Sequence, residues 1–231
     1  MQPNCASCKS TTDCHWSSLN DKLIEDLVHQ SSVRSYAKKQ YIFHESDPVH
    51  GLYILCEGLV KLIKTTANSR QVIVKLVYPG ELLGGLFFLN GNDASFSAQA
   101  VEDSSICFTH RSYIEQVLLR DANLSLNLLT YFNEQLCNSF QTLCEFAAFD
   151  VEQRLAGTLL RFAEHYSVET RDGLACHLPL RRGELAEFLG TTAETTARTL
   201  SNLKRQQIIA LERRTITFLD VDRLRAIAKR S

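Results

Sequence analysis

No stretch of this chain stays apolar for the roughly 18 to 20 residues that a membrane-spanning helix needs. Its first residues, Met1-Gln-Pro-Asn-Cys5, carry neither a basic start nor an apolar stretch. A membrane anchor and a secretory signal are therefore not expected, and the chain reads as cytoplasmic. Proline is scarce, with four in 231 residues and none between Pro79 and Pro179, which leaves the middle of the chain open to long helices. No Lys or Arg falls between Lys75 and Arg111. Catalytic spacing is missing too. No Ser/His/Asp or zinc-hydrolase pattern stands out, and Gly80-Glu-Leu-Leu-Gly-Gly85 is too short and poorly matched for a phosphate loop. His110 alone supports no reaction. An enzyme is not expected.

Cysteine, by contrast, is plentiful. Eight are present, and three cluster as Cys5-Ala-Ser-Cys8 and Cys14. In a reducing compartment disulfides are rare, so clustered thiols point to metal binding or redox chemistry. Cys107 is the candidate fourth ligand. A structural zinc is one reading, although zinc sites usually present two close pairs and Cys107 has no near partner. A metal-free thiol sensor is another. His15, beside Cys14, reads as solvent-facing, and Lys9 after Cys8 excludes the Cys-x-x-Cys-His haem signature. Cys56 reads as core. Cys137 and Cys144, seven apart, share a helix face and are expected to be packed. Cys176 has no obvious partner.

Along the chain, residues 1–18 are polar and cysteine-rich, and Leu19, Leu23, Leu27 and Val28 then recur at helical spacing. From Tyr41 to His110 short β-rich runs follow: Leu52–Cys56, Leu59–Ile63, Val72–Val77, Ser95–Ala100 and Ser105–Thr109. Glu57-Gly58, Pro79-Gly80 and Asn90-Gly91-Asn92-Asp93 supply turns. Such strands predict a closed or nearly closed β-structure, here residues 19–110. Residues 111–148 read as a long helix. Leu129, Phe132, Leu136, Leu143 and Phe146 fall at a/d-like spacing with Ser139 between them, which predicts either a dimer seam or a helix packed on its own domain. Phe149-Asp150 marks a hinge. The next helix, 151–166, turns Leu155, Leu159, Leu160 and Ala163 inward.

Residues 151–231 carry 14 Lys or Arg against 10 Asp or Glu, while the first 150 residues hold 11 against 16. A mildly basic C-terminal domain suits a phosphate-backbone partner. Within 149–231, Arg182 to Leu189 forms a short amphipathic helix, Gly190-Thr191-Thr192 a turn, and Ala193 to Gln206 a second helix with Ala197, Leu200 and Leu203 inward. This is a helix-turn-helix. Ile208–Leu211 and Thr215–Phe218, joined at Glu212-Arg213-Arg214, read as a wing. Glu194 and Arg198 lie four apart on one face near the start of the second helix. Arg can grip guanine O6 and N7, and Glu can accept from cytosine N4. The same pair also fits a plain i,i+4 salt bridge worth about 0.2–0.5 kcal/mol, and Thr191-x-x-Glu194 matches a capping box. Arg181, Arg182, Lys204, Arg205, Arg213 and Arg214 are candidate phosphate contacts.

Taken together these residues resemble the CRP/FNR family of bacterial regulators, in particular its oxygen-responsive fumarate and nitrate reduction branch, over nearly the whole chain. The Cys-x2-Cys-x5-Cys run at residues 5, 8 and 14 is similar to that branch's cluster motif. Cys107, after Ala100-x-Glu102, sits where the branch places its fourth ligand. Glu194-Thr195-Thr196-Ala197-Arg198 is similar to its Glu-x-x-Ser-Arg reading motif, with Ala197 in place of the serine. The resemblance implies an α+β fold: a cyclic-nucleotide-binding-like β-roll, a long dimerisation helix and a C-terminal winged helix-turn-helix. It implies a [4Fe-4S] cluster on Cys5, Cys8, Cys14 and Cys107, and a homodimeric regulator, activator or repressor, on a palindromic operator with a TGA-like half-site core. It also implies oxygen sensing through loss of that cluster, and contact with RNA polymerase, for which the loop Thr65–Arg70 is the candidate. Ala197 removes a hydroxyl and leaves the outer half-site position undefined. A cyclic nucleotide is not expected. Gly80-Glu81 resembles the turn of the family's nucleotide pocket, but a cyclic phosphate needs a cation, and the stretch that would supply it reads Asp93-Ala-Ser-Phe-Ser97.

Overall fold

The computed structural model describes residues 29–83, 93–170 and 173–229. The chain divides into two compact units, Met1–Gln135 and Leu136–Ser231. The residue 19–28 pattern lies outside the described residues.

The first unit is a β-roll of two antiparallel sheets. Strands β1 (Ser31–Tyr36), β7 (Ser104–His110) and β3 (Gly51–Glu57) form one, in the order β1-β7-β3. Strands β2 (Tyr41–Phe43), β6 (Ser97–Ala100), β4 (Val60–Thr65) and β5 (Gln71–Val77) form the other, in the order β2-β6-β4-β5. Strand alternation builds two cores. On β3, Leu55 joins Val60, Val77, Ala98 and Ile106 in one buried cluster, with Tyr53 packed against it. Leu52 and Ile54 point the other way and meet Cys107, Ile114, Val117, Leu124, Leu128 and Tyr131. Gly58, at φ +95°, makes the β3–β4 turn, where any side chain would strike Ser104.

Two helices follow. Helix α1 (Arg111–Arg120) packs on β3 and β7, and α2 (Ala122–Ala148) is 27 residues long. The sequence reading of one helix over 111–148 is corrected here. Asp121 adopts an extended backbone and its carboxylate accepts from the N–H of Leu124 at 2.9 Å, so it ends one helix and caps the next.

The second unit begins within α2. Helix α3 (Val151–Tyr166) starts at a capping box in which Asp150 Oδ1 accepts from Gln153 N and Gln153 Oε1 accepts from Asp150 N, each at 2.9 Å. Its buried face is Leu155, Ala156, Thr158, Leu159 and Phe162. Phe162 takes the core place expected of Leu160 and Ala163, which are half-buried. Strands β8 (Ser167–Thr170) and β9 (Gly173–His177) precede α4 (Arg182–Leu189) and α5 (Ala193–Arg205). Strands β10 (Ile209–Glu212), β11 (Thr215–Phe218) and helix α6 (Val221–Ala228) close the chain. The wing is part of a four-stranded antiparallel sheet, β10-β11-β9-β8. The α+β fold is the one expected from sequence. No helix among the described residues is long and apolar enough to cross a membrane.

Candidate nucleic-acid interface and cluster ligands

Local chemistry fixes the turn between α4 and α5. Gly190 is left-handed, at φ 65° and ψ 37°, and Thr191 N donates to Ala186 O at 3.0 Å. A Cβ on Gly190 would also come within 2.7 Å of the Phe146 ring, so both backbone and packing require glycine. Thr192 then caps α5, its Oγ1 accepting from Thr195 N at 3.1 Å. The cap is Thr192, one residue later than the Thr191-x-x-Glu194 box, so Glu194 is left out of it. Among the described residues neither Glu194 nor Arg198 has a hydrogen-bond or ion-pair partner, and both are exposed. The i,i+4 bridge does not form.

The inward face of α5 is Thr196, Leu200 and Leu203. Thr196 is fully buried because its hydroxyl donates to Thr192 O at 3.0 Å, which satisfies the polar group inside the core. Ala197, expected inward, is half-buried at the edge of the outer face. That face presents Glu194, Arg198, Ser201 and Arg205.

The candidate phosphate-contacting cations separate by their partners. Arg181 and Arg182 are exposed at the start of α4, where Glu184 Oε2 accepts from Arg181 N at 2.9 Å. Arg205 is exposed and donates from Nη2 to Asn202 Oδ1 at 2.9 Å. Lys204 reaches across to Leu211 O on the wing at 3.4 Å. Arg213 is exposed at the wing turn, with φ 53°. Arg214 is a correction: its Nη2 donates to Leu178 O at 2.8 Å and Pro179 O at 2.9 Å, and its buried Nε has no partner among the described residues. The guanidinium ties the wing to the segment leading into α4, leaving it unsuited to a phosphate. Arg223, which sequence reasoning missed, lies exposed on α6 and bonds the carbonyl and side chain of Gln206. No local pattern marks it, because α6 itself was unforeseen.

On α2 the exposed large apolar residues are Leu126, Leu129, Leu136, Phe140, Leu143 and Phe146. Leu129 and Leu143 are 62% and 64% exposed. Spacing from Leu126 through Leu129, Asn133, Leu136 and Phe140 to Leu143 alternates three and four residues. The stripe therefore departs from the expected set. Phe132 is half-buried against the Leu52 cluster, and Phe140, not Ser139, stands in the stripe. Phe146 lies beneath Arg154, whose guanidinium carbon is 5.0 Å from the ring centroid. Arg154 also donates to Phe149 O at 2.5 Å and Leu189 O at 3.2 Å.

Of the cluster candidates, Cys5, Cys8 and Cys14 lie outside the described residues. Cys107 is 6% exposed on the central strand of its sheet, level with Val33 and Ile54. Among the described residues no group of three or more His, Cys, Asp or Glu could hold a metal. Cys107, a soft sulfur donor, is the one member of the expected ligand set among the described residues, and a metal bound there would need its other ligands from outside them. The remaining thiols are varied. Cys56 is half-buried. Cys176 is buried, and burial pushes its pKa up to about 11. Cys137 and Cys144 are exposed, against the expectation of packing, because the outward side of α2 carries them. In the roll, Glu81 pairs with Lys75 at 2.9 Å and accepts from Tyr78 N at 2.7 Å. The loop Thr65–Arg70 is an exposed hairpin tip closed by Thr66 N donating to Arg70 O at 2.9 Å.

Comparison with known proteins matches residues 33–121 to the cyclic nucleotide-binding domain and residues 153–227 to the Crp-like helix-turn-helix domain. The chain is similar to an anaerobic regulatory protein of Pasteurella multocida, at 24% identity over 94% of this chain and 80% of that protein. It is similar to the nitrogen fixation regulation protein FixK of Bradyrhizobium diazoefficiens, at 25% identity over 99% of this chain and 96% of that protein. The transcriptional activator protein Anr of Pseudomonas protegens is 23% identical over 98% of this chain and 93% of its own length. Among solved structures, FixK2 from Bradyrhizobium japonicum superposes with a TM-score of 0.77 at 24% identity, covering 87% of this chain and 98% of that one.

Proposed function

We propose that the chain, which matches the cyclic nucleotide-binding and Crp-like helix-turn-helix domains, is a CRP/FNR-type DNA-binding transcription regulator, homodimeric and anaerobically active, whose operator binding depends on an oxygen-labile [4Fe-4S] cluster. The observation that carries the DNA-reading half is the outer face of α5, where Glu194 and Arg198 stand exposed and, among the described residues, without partners. A recognition helix uses its N-terminal residues on base edges, and a bidentate Arg on guanine with a Glu on cytosine suits a TGA-like half-site core. Ala197 borders the pair without a hydroxyl to offer. Arg181, Arg182, Lys204, Arg205 and Arg213 are the proposed phosphate contacts that set the register.

The apolar stripe of α2 supports self-association. A contiguous exposed apolar face marks an interaction surface, and its three-four spacing fits a two-stranded seam with an identical copy. The two-fold axis of such a dimer would match a palindromic operator. Cys5, Cys8, Cys14 and Cys107 are the proposed cluster ligands. When bound, the cluster would supply a redox-labile centre that oxygen degrades. The likeness to anaerobic regulators supports this reading. Against a nucleotide signal, Glu81 is engaged by Lys75, and no cation follows until Arg111. The exposed Thr65–Arg70 tip is the proposed polymerase contact.

Arg198→Ala should weaken binding to a duplex with two TGA-containing half-sites by about 1–3 kcal/mol and relax preference at one base position. Fluorescence anisotropy against single-base variants of that duplex measures both. An unchanged base preference would remove Arg198 from base reading.

A further inference from the structure

The outer face of α5 borders an open hollow of about 600 Å³. Its walls are Glu152, at the start of α3, and Arg198, Thr199, Ser201, Asn202 and Arg205 of α5. Two guanidinium groups on one hollow favour an anion, and a single carboxylate, Glu152, opposes it. Asn202 stands between the opposing charges. Its Nδ2 donates to Glu152 Oε1 at 2.7 Å, and its Oδ1 accepts from Arg205 Nη2 at 2.9 Å. Only that amide orientation serves both neighbours. Reversed, the carbonyl would face a carboxylate and the NH2 a guanidinium. A neutral amide thus occupies Glu152 and keeps it from pairing directly with Arg205. Arg205 uses one of its five N–H groups on Asn202 and keeps four for another partner.

Placement on the helix says what that partner is. Glu194, Arg198, Ser201 and Arg205 recur at i, i+4, i+7 and i+11, a single stripe. At 1.5 Å rise per residue, Arg205 lies roughly 10.5 Å along the axis beyond Arg198. With the N-terminal part of the helix on base edges, a cation two turns further along the same stripe meets the backbone that borders the groove.

We propose that this hollow seats one DNA backbone phosphate held by Arg205, and that Asn202, anchored by Glu152, is the positioning residue that holds the Arg205 guanidinium toward it. The proposal rests on the DNA-reading role of α5 given above. It is tested on anaerobically purified full-length protein, with a palindromic duplex carrying two TGA-containing half-sites and a scrambled duplex. Affinity is measured by anisotropy between about 50 and 200 mM salt, and thermal melting checks that each variant is folded. Arg205→Ala should weaken binding to both duplexes by a similar factor, about tenfold, and flatten the slope of log affinity against log salt by about 0.9 per subunit. Asn202→Ala should weaken it about threefold, yet add nothing in the Arg205→Ala background, because residues acting through one another are not additive. An equal loss from Asn202→Ala with and without Arg205, or an unchanged salt slope in Arg205→Ala, overturns the proposal while wild-type binding stands. Failure of the wild type to bind either duplex would instead overturn the DNA reading itself, and this inference with it.

Discussion

Arg205, Arg213 and Arg214 show how one residue type serves different ends within ten positions. Arg205 and Arg213 are exposed, whereas Arg214 is held by two carbonyl oxygens ahead of α4. Hydrogen bonds from a charged donor are each worth about 1.5–3 kcal/mol. The buried Nε of Arg214, partnerless among the described residues, offsets part of that, since leaving a polar group unsatisfied costs about 1–3 kcal/mol. Arg214→Ala should therefore lower stability by a net of about 2–3 kcal/mol, read from the denaturant midpoint, and leave the salt dependence of DNA binding unchanged. A flattened salt slope in a variant of normal stability would return Arg214 to the phosphate contacts. Sequence showed the arginine pair at a turn. It could not show which of the two the segment 178–180 would capture, because that contact joins residues more than 30 positions apart. Thr196 and Ala197 illustrate the same limit. Polarity alone placed alanine inward and gave no reason to bury threonine, but a hydroxyl bonded to Thr192 O can be buried, and the helix phase turns Thr196 to the core.

Elements with strong local signals were legible. Strands β3, β4, β5 and β7 fall within a residue or two of the β-rich runs, and α4, its glycine turn and α5 stand where the amphipathic pattern and the turn residues put them. Weak local signals gave out. Strand β1, Ser-Ser-Val-Arg-Ser-Tyr, alternates poorly and owes its place to pairing with β7. The β8–β9 hairpin likewise depends on β11. The division at Asp121 was missed because Asp is tolerated within a helix, and only its cap geometry reveals the break. The register of the α2 stripe follows from these packings. Leu124, Leu128 and Tyr131 face the roll, which draws Phe132 partly inward and leaves Phe140 outside. Phe140→Glu should dissociate the dimer, seen as a halved mass in sedimentation, while the melting of each subunit's fold stays near normal. Phe132→Ala should instead lower fold stability, since it removes a half-buried aromatic from the Leu52 cluster. The reverse pattern would restore the seam read from sequence.

For the molecule as a whole, charge is divided as the proposed work requires. The C-terminal 81 residues carry a surplus of four positive charges and the first 150 a deficit of five, so phosphate attraction belongs to the part bearing α5. The described residues include the proposed reading face, the apolar stripe and one thiol of the proposed cluster. Cys5, Cys8 and Cys14 enter through their spacing and the family likeness alone. The decisive measurement is iron and acid-labile sulfide per subunit after anaerobic purification, with the visible spectrum and operator binding followed on the same sample as air is admitted. About four of each per subunit, for a cluster held by four thiolates, with bleaching and loss of DNA binding in step, is the predicted result. Zinc in place of iron, or operator binding indifferent to air, would contradict it.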